Sequence, residues 1–365
     1  MNQNLNYKTK IDSLTGIRAI AAYLVYLCHL IYYYPNLANK KIGLFLSELY
    51  IGVTLFFVLS GFLITYNYYD VKPFNFKKYI LRRFARIYPV FFILTTAVFV
   101  QLFVNKSNVS FYDIKVYLLN ITFLKSFFEQ FLRTGIAPSW TLTLEEIFYF
   151  ICPILFLIAR KSKYYLIFVS IIFLFIGLVI VKLFESNYYY GFFQDTSFMF
   201  NYTIFGRISE FLAGMFLVFF IQKFRYKFKT NYLTYLGLLN IILCVVALTF
   251  FKNNNLLTDG FDSIYGKIIN TFILPLLGIL PFYWGLITEK TILSKILETQ
   301  LLKILGKSSY IFYLIHITYI LWQKNLDFSN YLAHFVFLNI ISVVLYFSIE
   351  FPIHNFLRKK IDSVD

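Results

Sequence analysis

An arginine and a histidine eleven residues apart, Arg18 and His29, stand in an otherwise apolar segment, Ser13 to Leu30, SLTGIRAIAAYLVYLCHL. An ionisable group at membrane depth costs about 2.5–3.5 kcal/mol on insertion scales, so such residues are kept for a use. Eleven helical steps make about three turns and a rise of roughly 16 Å, which puts both side chains on one face. A neutral imidazole in partly desolvated surroundings can take a proton from a hydroxyl, the task of a general base. A packing histidine is the alternative, and the arginine on the same face argues against it. Cys28 points about 100° away from its neighbour and has no cation placed to activate it as a nucleophile.

Four further segments carry chemistry. Tyr50 to Tyr66, YIGVTLFFVLSGFLITY, is an apolar run broken by Ser60 and Gly61, small residues that serve either close helix packing or the passage of a thin ligand. Tyr79 to Pro89, YILRRFARIYP, holds Arg82 and, three apart on one helix face, Arg83 and Arg86, a spacing at which two guanidinium groups can grip one polyphosphate. Ordinary contact with lipid headgroups is the alternative there. Ser139 to Tyr149, SWTLTLEEIFY, offers Trp140 as an interface anchor, Thr141 or Thr143 as a helix cap, and the paired carboxylates Glu145 and Glu146. One of those carboxylates is a candidate to bind a polar substrate or to hold an imidazole. Leu305 to Ile317, LGKSSYIFYLIHI, brings Tyr310, Tyr313 and His316 to one side of a helix, as hydrogen-bonding glue between helices or as acceptor-binding groups. Arg207 and Glu210, three apart, are expected to pair within their helix. His334 and His354 look peripheral.

These residues need spanning helices to hold them, and the composition supplies such helices. Of 365 residues 59% are hydrophobic and 22% aromatic, and no hydrophilic stretch is long enough for a separate domain. The chain reads as an all-α polytopic membrane protein, one domain over residues 1–365 with its core at about 11–358. At about twenty apolar residues per crossing, ten spans are predicted, centred near Val25, Val58, Thr96, Ile151, Ile172, Gly214, Ile242, Gly278, Ile315 and Ile341. The segment from about Asn105 to Ser139 is long, and its pieces Phe111 to Leu124 and Phe127 to Leu132 are too short to cross, which predicts interfacial helices. Pro275 and Pro281 fall inside the eighth span and are expected to bend it.

Charge sets the orientation. Alternate connections, counting both termini, hold 23 Lys and Arg on one side and 10 on the other, with Arg207 left inside a span. By the positive-inside rule both termini are cytoplasmic. The formal charge of +16 then reflects topology and contact with anionic lipid headgroups, not nucleic-acid binding. Cys28, Cys152 and Cys244 lie in apolar spans without metal-ligand spacing, so neither a disulfide framework nor a metal site is expected. The first span lacks a clear small-residue cleavage site and is expected to stay uncleaved.

Taken in order, these segments resemble the integral-membrane acyltransferase family three, whose members O-acylate bacterial surface polysaccharides and some small molecules. The resemblance runs from Ser13 to Phe356. It rests on the Arg18 to His29 helix, FFVLSGFLI (Phe56 to Ile64), RRFARIYP (Arg82 to Pro89), SWTLTLEEIFY, GRISEFLAGM (Gly206 to Met215), LGKSSYIFYLIH and SIEFPIHNFLRK (Ser348 to Lys359). Thr15 stands where many members have Asp, and Phe351 where many have Lys.

The resemblance implies a multi-pass protein of the bacterial cytoplasmic membrane. Its donor would be cytoplasmic acyl-CoA, commonly acetyl-CoA, and its acceptor a glycan, a lipid-linked sugar or a small-molecule glycoside. It assigns His29 the base role, Arg18 that of essential partner, Arg83 and Arg86 to CoA recognition, and the Trp-motif carboxylate to Glu145 with Glu146 beside it. With CoA phosphates on Arg83 and Arg86, the pantetheine arm is expected to pass Ser60 and Gly61. Its length is comparable to the roughly 16 Å between Arg18 and His29. Transfer can be direct or go through an acyl-enzyme. Members with an added extracytoplasmic esterase-like module are not the expected pattern. The rival reading is a transporter or flippase for a polar lipid-linked sugar, with the same buried charges lining a pathway.

Overall fold

Proline and glycine punctuation divides an otherwise uniformly helix-forming chain. In the computed structural model the described residues are 7–186, 188–224, 232–252, 260–324 and 330–363, without the side chains of 7–11 and 322–324. Arg225, Lys227 and Lys229 of the charge tally lie outside the described residues, as do the side chains of Lys8, Lys10 and Lys324.

The first helix, α1 (Tyr7–Tyr33), ends one residue before the position that Pro35 biases away from helix. Next come α2 (Lys40–Leu46) and α3 (Gly52–Tyr68), joined by a 3-10 turn, Ser47–Ile51. After them lie α4 (Phe76–Val104), the short α5 (Phe111–Ile121), α6 (Trp140–Lys161) and α7 (Tyr165–Phe184). The chain continues through α8 (Thr196–Tyr202), α9 (Ile204–Phe224), α10 (Leu233–Phe250), α11 (Ile264–Ile268), α12 (Leu280–Thr288) and α13 (Ile292–Leu297). It closes with α14 (Gln300–Lys324), α15 (Tyr331–Leu345) and α16 (Phe351–Asp362). Among the described residues ten stretches are long and apolar enough to cross a membrane, and each contains one of the ten expected centres. No strand occurs among the described residues beyond an isolated bridge between Phe128 and Phe192. The long connection between the third and fourth of these stretches holds α5 and then two 3-10 turns, Leu124–Phe127 and Glu129–Phe131, so the short-helix expectation there is met by one helix only.

The residues cluster into two compact units, each discontinuous in sequence: 1–70 with 209–313, and 71–208 with 314–365.

In the first unit α1 is gripped through missing side chains. A Cβ at Gly16 would stand 2.1 Å from the Leu297 carbonyl oxygen, one at Gly52 2.2 Å from that of Ala21, and one at Gly306 1.9 Å from that of Thr15. Such contacts let α3, α13 and α14 approach α1 backbone to backbone. The same unit explains how its prolines are carried. Pro275 lies in a π-helical segment, Ile269–Ile279, where the Leu280 N–H reaches back five residues to the Pro275 carbonyl. The carbonyl four residues before a helical proline loses its α-helical donor. Ser209 Oγ donates to Thr271 O at 2.9 Å and Asn240 Nδ2 to Leu277 O at 2.8 Å, so both such carbonyls gain a side-chain donor.

In the second unit α16 packs along α4, and α6 lies against α4 and α7. Pro153 in α6 strips the Tyr149 carbonyl of its donor in the same way, and Tyr79 Oη of α4 donates to it at 3.2 Å. The most exposed large apolar side chains of α7, including Phe168, Phe175 and Leu183, form the faces available to lipid.

Candidate functional site

Arg18 and His29 lie in the uninterrupted helix α1, both half-buried. Ala19, Ala21, Ala22 and Val25 are buried between them, and Arg18 is within electrostatic reach of the fully buried Tyr283, whose hydroxyl donates to Leu55 O at 2.9 Å. The His29 end of α1 is anchored from one side. Cys28 Sγ donates to Ser47 O at 3.1 Å, and Ser47 Oγ accepts from Lys252 Nζ at 2.6 Å. Lys252 also pairs with Glu48 at 2.9 Å, both side chains fully buried, and the Gly260 N–H donates to the same carboxylate oxygen at 3.1 Å. Charge tallies treat Lys252 as an outer-connection cation. Its pairing is non-local, and nothing in the spacing of Glu48 and Lys252 announces it.

Gly61 resolves toward packing. A Cβ there would fall 2.0 Å from Phe211 O, and one at Gly214 2.0 Å from Val58 O, so α3 and α9 touch through both glycines. The direction a side chain would take from Gly61 is filled by backbone, so this glycine serves close helix packing, and passage of a pantetheine arm beside it stays an expectation. Ser60 beside it is half-buried.

The second unit assembles a charged cluster on α4, α6 and α16. Arg83 lies 5.8 Å from the centre of the Tyr149 ring, and Tyr149 Oη donates to Glu145 Oε2 at 3.3 Å. Glu146 is buried and within the fields of Glu145 and Arg83, and its Oε1 takes no hydrogen bond among the described residues. The structure thus brings the arginine motif and the Trp-motif carboxylates onto one tyrosine, although they stand some sixty residues apart in the chain. Arg82 is engaged elsewhere: its Nε and Nη2 donate to Asp362 Oδ1 of α16 at 2.9 and 2.6 Å.

The capping expectation at α6 is corrected. The helix begins at Trp140, so Thr141 and Thr143 lie inside it, and Ser139 at the cap makes no side-chain capping bond. Thr141 Oγ1 donates to Pro138 O at 3.1 Å, and Thr143 Oγ1 donates to Phe123 O at 2.7 Å while meeting Ser126 Oγ at 2.8 Å. The approach to α6 is instead tied by Lys125, whose Nζ donates to Thr134 O and Ile136 O, both at 2.8 Å. Burial pushes this lysine down to about 7, since a charged ammonium is disfavoured away from water. A neutral amine has two N–H donors, and two carbonyls meet them. On the same connection the Lys106 ammonium and the Ser110 N–H hold the Asp113 carboxyl down to about 2.

Trp140 is half-buried, edge-on to Tyr202 at 4.9 Å. On α14, Tyr310 is half-buried, Tyr313 buried and His316 fully buried. Arg207 and Glu210 are both buried on α9. His334 Nδ1 meets Tyr319 Oη at 2.7 Å. His354 is the residue that local sequence undervalues, because it lies within the fields of Arg83, Arg86 and Arg358. A four-residue spacing to Arg358 was its one sequence signal. No group of three or more metal-ligating side chains occurs among the described residues.

Comparison with known proteins follows the same stretch of chain. The acyltransferase domain of acyltransferase family three matches residues 11–351. The chain belongs to that family. Among this chain's relatives, an O-acetyltransferase by name from Staphylococcus aureus (strain COL) is 27% identical over 364 residues, covering 93% of this chain and 55% of that protein. A protein of Acidianus two-tailed virus, named as an acetyltransferase, is 30% identical over 162 residues, 44% of each chain. The peptidoglycan O-acetyltransferase of Listeria monocytogenes is 29% identical over 180 residues, 44% of this chain and 26% of that protein. The chain spans about half the length of the staphylococcal relatives it matches. No solved structure matches it.

Proposed function

We propose that this membrane acyltransferase moves an acetyl or other short acyl group from acyl-CoA to a hydroxyl of a cell-surface or lipid-linked glycan. The observation that carries the reading is the family match over residues 11–351, which spans every chemistry-bearing segment named above except the last part of α16. The names of the staphylococcal and listerial relatives support an acetyl group, and the listerial name supports a glycan such as peptidoglycan.

In this reading His29 Nδ1 or Nε2 accepts the acceptor's hydroxyl proton as the oxygen attacks the thioester carbonyl. The C–O bond forms, the C–S bond breaks, and the proton passes from the imidazolium to the departing CoA thiolate. Arg18 on the same helix is its partner. Arg83 and Arg86 bind the phosphates of CoA, while Glu145 and Glu146 offset Arg83 and hold it at Tyr149. Trp140, Tyr310 and His316 remain candidates for contacts with the acceptor. Donor phosphates belong to the cytoplasm, so the proposal places both termini on that side of the bacterial cytoplasmic membrane, consistent with the charge distribution.

Incubation of purified protein with labelled acetyl-CoA and extracted glycans tests the reading. Label transfer is expected, with His29→Ala lowering it about 10²- to 10⁴-fold, the usual worth of a general base. Acceptor movement across vesicles in the absence of acyl-CoA, without label transfer, would replace the enzyme with a carrier.

A further inference from the structure

Positive charge gathers on α4 and α16 beyond the arginine motif, in Arg82, Arg83 and Arg86 on the first and Arg358 on the second. Of the carboxylates near these helices, Glu145 and Glu146 of α6 lie on the Tyr149 side, Glu350 precedes α16 in a segment that packs on α4, and Asp362 is already held by Arg82, which grips its Oδ1 through two nitrogens. Arg358 Nε reaches only Oδ2 of the same residue, at 3.7 Å, with its side chain 60% exposed. Arg83 is answered by Glu146 and the Tyr149 ring. Arg86, half-buried, makes no hydrogen bond or ion pair among the described residues, and neither does the half-buried ring of His354. Arg83, Arg86 and Arg358 all act on that ring.

Their placement follows from helix geometry. His354 and Arg358 are four apart on α16, Arg83 and Arg86 three apart on α4, and each pair shares a face. Helix α16 packs along α4, and the Arg82–Asp362 contact fixes the two helices against each other. Like charges gathered in partly desolvated surroundings repel one another unless an anion offsets them. Guanidinium forks match phosphate oxygens in pairs, and an imidazole N–H adds a single donor.

We infer that His354 and Arg358 complete, with Arg86, a site for a phosphate group between α4 and α16. The inference rests on the reading of Arg83 and Arg86 as a donor site and extends it to the last helix of the chain. Phosphate of this kind comes either from CoA or from an anionic lipid headgroup.

Binding of CoA and of dephospho-CoA to the purified full-length chain, by calorimetry in detergent, separates the outcomes. A parallel measurement uses nanodiscs of phosphatidylcholine with and without phosphatidylglycerol, read as a shift in thermal unfolding. The variants are R86A, H354Q and R358A, with R358K as the charge-retaining control, each checked for monodispersity. R358A and H354Q are expected to weaken CoA about tenfold each, the scale of one charge-assisted contact, with R358K recovering most of the loss. Unchanged CoA affinity in both α16 variants, alongside loss in R86A, overturns the inference and leaves the donor reading intact. If wild type ignores CoA yet is stabilised by phosphatidylglycerol through His354 and Arg358, the phosphate site stands and the donor reading fails. Indifference of wild type to both probes overturns the inference.

Discussion

Lys125 shows how one side chain couples the protonation of this protein to its stability. Its value near 7 lies below the ordinary lysine range near 10.5, so between those limits the unfolded chain holds a proton that the folded chain has released. Stability therefore rises with pH across that window, by about 1.4 kcal/mol per pH unit at most, and the cost of burial is complete below the folded value. Thermal unfolding in detergent between pH 7 and 10 should show this slope in wild type and lose it in K125M. The variant should also be weaker at pH 10, where it leaves the Thr134 and Ile136 carbonyls without donors at about 1–3 kcal/mol each. Equal slopes in both proteins would refute the assignment. Sequence alone marked Arg18, His29, Arg83, Arg86, Glu145 and Glu146, because an ionisable residue in an apolar run stands out locally. It could not mark Lys125, Glu48, Lys252 or His354, whose importance arises from partners 9, 11 or more than 200 residues distant, or on another helix.

At the scale of elements, hydropathy alone located the ten stretches among the described residues that are long and apolar enough to cross a membrane, and the proline pair was legible as a distortion of the eighth. The form of that distortion was not, since a π segment depends on which carbonyls find donors from Ser209 and Asn240. Ser60–Gly61 was legible only as a choice between packing and ligand passage, and the opposing Gly214 shows the packing role of Gly61. A methyl group at Gly61 must push α9 away, at the 1–3 kcal/mol typical of overpacking. G61A is accordingly expected to lower the unfolding temperature and the yield of folded protein, while the surviving fraction keeps its KM for acyl-CoA. A raised KM without loss of stability would favour ligand passage.

For the molecule taken whole, charge is the quantity with the longest reach. The 23 to 10 asymmetry of Lys and Arg, within a formal charge of +16, predicts both ends of the chain on the cytoplasmic side. A fluorescent-protein fusion after residue 365 should glow and an alkaline phosphatase fusion there should be silent, and the reverse pattern would invert the donor and acceptor sides proposed above. The asymmetry does not depend on single residues: the buried Lys252, counted on the sparse side, is already neutralised by Glu48, which only sharpens the bias.

The wide turn at Ile269–Ile279 also bears on comparison among relatives. A π turn takes up one residue more than an α turn over nearly the same rise, so a homologue lacking one residue there could run straight as an α-helix and still deliver Tyr283 and Trp284 in the same direction. Single-residue gaps should therefore gather in this stretch when family members are aligned, and they would record the loss of a bulge, not of a helix.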